Sequence, residues 1–201
     1  MKFAKLKAGR LSAVLLATAI ASTTVLSGCA TVAVTAAAVA VIDIAHDRRT
    51  VGEYIDDASM ELQVRQRLVA DPEIRGVAHV SATAMNGVLL LTGETPNDAV
   101  RAKVLGHTRN LPELRQVLDE MQLAGKSSLG SRANDTWITS KVKTRLVRDS
   151  GVDANRVKVV TEYGNVYMMG LLLREEADRA AEAARTVGGV QRVVKVFEYL
   201  D

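Results

Sequence analysis

From residue 57 onward the apolar positions recur with two periods, and the same succession of periods occurs twice. Met60, Val64 and Leu68 stand four residues apart, as do Ile138, Val142 and Leu146. That spacing predicts a helix with one buried face at each place. The pattern then changes to alternation over 77–82 and 157–161, which predicts a half-buried strand. Asn86-Gly87 follows in the first copy and Tyr163-Gly164 in the second. Asn-Gly is a strong hairpin signal, because both positions tolerate positive φ. Return strands are predicted over 88–92 and 166–169, second helices over 96–108 and 174–187, and closing strands over 115–123 and 191–199. Pro96 suits a first helical position, and Asp57 and either Asn134 or Asp135 are placed to cap the two leading helices. Each copy reads α-β-β-α-β, an α+β arrangement written twice.

The register between the copies is tight. Gly87 and Gly93 correspond to Gly164 and Gly170 at an offset of 77, whereas the helical positions correspond at 78. One residue is therefore inserted between helix and hairpin in the first copy. The modules are expected at 57–123 and 134–201, joined by a flexible linker at 124–133 that contains Gly125-Lys126-Ser127-Ser128. A module of this length lies near the lower limit for a domain that folds unaided, so docking of the two would help. Gly93 and Gly170 are expected to serve the fold, through a backbone conformation or a close helix approach that a Cβ would block.

The opening of the chain changes the picture. Lys2, Lys5, Lys7 and Arg10 precede an apolar run to Leu26, the layout of a secretory signal. Leu26-Ser27-Gly28-Cys29 resembles a bacterial lipobox, and Cys29 is the only cysteine in the chain. The resemblance implies cleavage after residue 28, diacylglycerol on the Cys29 thiol and acylation of the new amine. Residues 29–56 are then a lipidated N-terminus and tether. A lone cysteine makes no internal disulfide. Each buried acyl CH₂ contributes about 0.8 kcal/mol, so three chains hold without a membrane span. The Ala/Val-rich stretch 30–45 is short and interrupted by Asp43, too weak for a transmembrane helix. Ala30, rather than Asp, follows the cysteine; in the Gram-negative lipoproteins that this opening resembles, that choice permits transfer to the outer membrane.

Charge follows from that cut. The whole chain carries a formal +3. Removing residues 1–28 takes away four basic and no acidic residues, leaving 22 basic against 23 acidic. A strongly basic nucleic-acid surface is not supported for the mature molecule. The second copy is the basic one, with 13 basic and 10 acidic residues over 124–201 against 7 and 9 over 57–123. Catalysis finds no foothold: His46, His79 and His107 are scattered, with neither metal-ligand spacing nor a nucleophile beside them. No metal or cofactor is expected. Glu175-Glu176 falls at a helix start and reads as a solvated pair that complements the helix dipole.

The copies differ where surface is expected. At 100° per residue, Trp137, Lys141, Thr144 and Arg148 form a stripe well separated from the Ile138–Val142–Leu146 face. Ser59, Gln63, Gln66 and Ala70 hold the same places in the first copy. Val147 borders the stripe, and Arg145 is counted with it. An indole that is apolar in its ring and polar at its N–H, flanked by cations, suits a headgroup layer. Lys and Arg pair with phosphates, each worth roughly 1 kcal/mol near an anionic surface. Trp137, Lys141, Thr144, Arg145, Val147 and Arg148 are thus the expected phospholipid-contacting residues, with packing of Trp137 on the first module or on the linker as the alternative.

Two αββαβ repeats with a Gly-centred hairpin and a second glycine six residues on resemble BON domains. Asp135-Thr136-Trp137-Ile138-Thr139-Ser140-Lys141-Val142 carries the resemblance most specifically. After a lipobox, the chain is similar to the dual-BON-domain outer-membrane lipoproteins of Gram-negative bacteria. That resemblance implies a periplasm-facing protein on the inner leaflet that supports outer-membrane integrity and gathers at division sites. It also implies binding of anionic phospholipid, phosphatidylglycerol or cardiolipin, through the second module. The alternative is an adaptor that docks outer-membrane assembly proteins on the same Trp-bearing face.

Overall fold

The computed structural model describes residues 47–149 and 151–201. The expected signal 1–28, Cys29 and the stretch 30–45 lie outside the described residues. The unit His46–Asp201 is compact. Its first repeat contains α1 (Val51–Ala70), a one-turn helix α2 (Pro72–Arg75), β1 (His79–Met85), β2 (Val88–Thr95), α3 (Asp98–His107), β3 (Gln116–Asp119) and β4 (Gln122–Leu123). The second contains α4 (Leu129–Asp149), a 3₁₀ turn at Ala154–Arg156, β5 (Lys158–Glu162), β6 (Asn165–Leu172), α5 (Arg174–Arg185) and β7 (Arg192–Tyr199). The inserted residue is accommodated where α2 of the first repeat stands in place of the 3₁₀ turn.

Both leading helices begin earlier than expected, and the reason is local. Thr50 and Glu53 form a reciprocal capping box, so α1 starts at Val51 and takes in the end of the expected tether. Likewise α4 takes in residues 129–133 of the expected linker, with the Ser128 hydroxyl accepting from the Ser131 amide. Asp57 and Asp135 are therefore not caps. They lie buried inside their helices, and each carboxylate accepts two backbone N–H groups of the opposite hairpin turn. Asp57 accepts from Asn86 at 2.7 Å and Gly87 at 2.9 Å; Asp135 accepts from Tyr163 at 3.0 Å and Gly164 at 2.9 Å. Those turns run at positive φ, with Asn86 at 50°, Gly87 at 73°, Tyr163 at 50° and Gly164 at 70°. Pro96 also falls outside its helix, because Asn97 caps α3 by accepting from the Val100 amide.

In each repeat the central strand pairs antiparallel with the first and parallel with the last. The first closing strand is broken at Glu120 and Met121, which separates β3 from β4. Along β2, Leu89 and Leu91 meet Met60, Val64 and Leu68 of α1, while Leu90 points the other way. Along β6, Val166 and Met168 meet Ile138, Val142 and Leu146, while Tyr167 and Met169 point away. The outward sets meet each other: Met85, Leu90, Tyr167 and Met169 form a third core between the two sheets.

Polar contacts frame this seam. Lys158 pairs with Glu61 at 2.7 Å and donates to the Ala84 carbonyl. Glu198 accepts from Asn86 at 3.0 Å and from Arg115 at 3.1 Å. Arg48, just before α1, forks onto Glu176 of the second repeat at 2.7 and 2.9 Å and also donates to the Leu171 carbonyl. Glu176 is thus not solvated, unlike its exposed neighbour Glu175. Burial alone would raise its carboxyl, but the Arg48 guanidinium and the Leu173 N–H hold it below the usual range. Arg49 pairs with buried Asp57 at 2.6 Å, tying the same segment to the first hairpin.

The two matched glycines serve the fold by strand geometry rather than by helix packing. Gly93 has φ 108°, and a Cβ there would collide with the His79 carbonyl; at Gly170 it would collide with the Arg156 carbonyl. Gly106, on the exposed side of α3, has no such neighbour. Gly93→Ala and Gly170→Ala should each cost about 2 kcal/mol or more, while Gly106→Ala should stabilise by up to about 1 kcal/mol. Urea unfolding of the three variants measures the ordering.

Candidate functional site

The burial of Ile138, Val142 and Leu146 fixes the rotation of α4. One position before Ile138, Trp137 is consequently turned out and remains 63% exposed. The chain following α5 rises beside it. Gly189, at φ 102°, lets that segment pass over the Ile138 side chain, which a Cβ would meet at 3.1 Å. The Lys141 ammonium donates to the Gly188 carbonyl and pins the segment to α4. One of its three N–H groups is so used, leaving two for another acceptor.

The result is an open groove of about 480 Å³. Trp137, Lys141, Thr144, Arg145 and Arg148 line its α4 side, together with Ser140; Thr186 and Val187 form the opposite wall. Thr144 and Ser140 donate their hydroxyls to carbonyls one turn back, at 2.9 Å each, so they present mainly methyl and methylene surface. Five of the six expected contact residues therefore share one groove. Val147 does not line it; the residue stands 72% exposed on the adjoining face of α4. Ser140, Thr186 and Val187 were not anticipated. Thr186 and Val187 are legible as a helix end, but their approach to α4 depends on how the two helices pack.

The first repeat presents a different surface. Ser59 and Gln63 hydrogen-bond to each other at 3.2 Å, and Gln66 and Ala70 are exposed. On the same helix Val51, Ile55, Leu62 and Val69 are each more than half exposed and fall within about 40° of one another. That stripe has Arg65 beside it but no cluster of cations. Among the described residues no helix is long and apolar enough to cross a membrane.

The two modules belong to the BON domain family, which matches residues 56–125 and 134–201. The chain is 34% identical over 186 residues to the outer membrane lipoprotein DolP of Haemophilus influenzae, covering 92% of this chain and 96% of that one. It is also 34% identical to a 21 kDa hemolysin of Actinobacillus pleuropneumoniae, over 77% of this chain and 79% of the relative. Among solved structures, CdsD of the type III secretion system of Chlamydia trachomatis aligns with 72% of this chain and 63% of its own, at 17% identity and a TM-score of 0.29. The chain belongs to the dual-BON-domain outer-membrane lipoproteins of the DolP type.

Adjacent positions on α4 test the orientation of the site. Trp137→Ala should cost less than about 1 kcal/mol of stability, whereas Ile138→Ala should cost about 2–5 kcal/mol. Denaturant unfolding of both variants gives the comparison, and equal losses would mean that the indole is packed rather than presented.

Proposed function

We propose that the second BON domain binds anionic phospholipid through the Trp137 groove, and that this contact lets the protein support outer-membrane integrity from the inner leaflet, gathering at division sites. The observation that carries the reading is the exposed indole with Lys141, Arg145 and Arg148 around it, on a helix whose opposite face packs through Ile138, Val142 and Leu146. An indole ring gains from the interface while its N–H keeps a polar partner, and the cations meet lipid phosphates. Lipidation at Cys29 raises the local concentration of the groove at the bilayer, so a weak contact suffices. The apolar wall of Thr186 and Val187 adds room for the upper part of an acyl chain.

The test uses residues 46–201, the compact unit, without the lipid. An isolated second module would uncover Tyr167 and Met169, which the first repeat buries. The unit should float with vesicles containing phosphatidylglycerol or cardiolipin and not with phosphatidylcholine alone. Added salt should weaken the binding. Trp137→Glu should lower it at least tenfold with unchanged circular dichroism. Undiminished flotation by Trp137→Glu would move the role of this face to a protein contact, such as outer-membrane assembly machinery.

A further inference from the structure

Each sheet sends one carboxylate into the seam, and both stand at the same end of it. Glu94 lies on the Leu90 side of β2, two residues beyond Thr92, and is 0% exposed. Glu162 lies on the Val160 side of β5 and is 7% exposed. One oxygen of Glu94 accepts from the Ser127 amide at 3.2 Å; the other, Oε1, is buried with no donor. A buried carboxylate oxygen without a donor is costly. The Glu162 carboxyl of the other sheet lies close enough for the Glu94 charge to oppose its ionisation.

We propose that a proton held on Glu162 against Glu94 across the seam forms a latch that fastens the two modules at low pH and loosens as pH rises from the ordinary carboxylate range to neutrality. The surrounding groups favour this. Asp135 on α4 is committed to the second hairpin turn and adds negative charge beside Glu162. Arg132, one turn earlier on α4, is the opposing cation, and its buried Nε has no acceptor. His79 on β1 is driven towards the neutral form, first by burial and then by Arg132, against the pull of Glu94 and with Lys126 contributing. The Tyr163 hydroxyl, facing Glu94, is likewise held protonated, chiefly by burial and by Glu94 itself. Burial, then Glu94, then Asp135 push the Glu162 carboxyl up to about 7.

The sign follows from that direction. A carboxyl held protonated in the folded chain stabilises it most at low pH. That contribution is lost as pH rises from the ordinary carboxylate range of about 4.5 to about 7, and is gone above it. Over that window the unfolding equilibrium should shift by on the order of a hundredfold in favour of the open chain. Because Arg132, Asp135 and Thr136 lie on α4 just ahead of Trp137, the latch bears on the helix that carries the groove. The proposal stands whether or not the groove binds lipid.

Two measurements on residues 46–201 decide it. In a carboxyl ¹³C titration, one glutamate should titrate near neutrality, vanish in Glu162→Gln, and move down by a unit or more in Glu94→Gln. All glutamates titrating below about pH 5.5 would overturn the held proton, and that wild-type result decides even if a variant fails to fold. Spin labels at Ala102→Cys and Arg185→Cys read the docking, since this unit contains no other cysteine. Their distance distribution should broaden between pH 5.5 and 8.5 in the wild type and stay narrow in Glu162→Gln. An unchanged wild-type distribution would overturn the latch.

Discussion

Everything in this molecule follows from a sheet that its own helices cover on one side only. In each repeat the helices bury Leu89 and Leu91, or Val166 and Met168, and leave the alternate residues of the same strand uncovered. A strand so apolar on both faces must find a second layer. The other repeat supplies it, and Leu90, Met85, Tyr167 and Met169 close into a shared core. The cost of this arrangement falls on orientation: with sheets inside, both leading helices are forced to the outside. Trp137, one position off the buried face of α4, is exposed as a result.

Within each repeat the helix and hairpin are fastened by the same device. A buried aspartate on the helix holds the two turn amides that positive φ turns away from the ladder, Asp57 for Asn86 and Gly87, Asp135 for Tyr163 and Gly164. Charge-assisted bonds of this kind are strong, and burial strengthens them further. The two copies thus share their cores, their turns and their Gly93 and Gly170 approaches, and diverge on the outer helix faces. One face carries a bare apolar stripe; the other carries an indole among cations.

The helix and strand order was legible from periodicity alone, because three apolar positions at four-residue spacing leave little choice of face. Helix starts were not, since Asp57 and Asp135 look like caps, while the capping box at Thr50 and Glu53 lies in what reads as tether. The docking of the repeats has its own signal in the central strands. Val88-Leu89-Leu90-Leu91 and Val166-Tyr167-Met168-Met169 are unbroken apolar runs, the mark of a strand buried on both faces. The outward position of Trp137 was readable from the helical wheel. The far wall of its groove was not, because Thr186 and Val187 arrive there only through the packing of α5 on α4 and the backbone freedom of Gly189. Arg48 and Glu176, 128 residues apart, were equally beyond pattern.

An anchored chain that already resides at the outer membrane needs only a modest second contact to choose where on that membrane it dwells. In the proposed function, Trp137 makes this contact. As the single tryptophan of the chain, it reports on itself. Its fluorescence in residues 46–201 should begin at a water-exposed wavelength, then shift to the blue and resist acrylamide quenching when vesicles of phosphatidylglycerol are added, with no change for phosphatidylcholine. Emission that is already blue in free protein, or that ignores the anionic vesicles, would contradict the account.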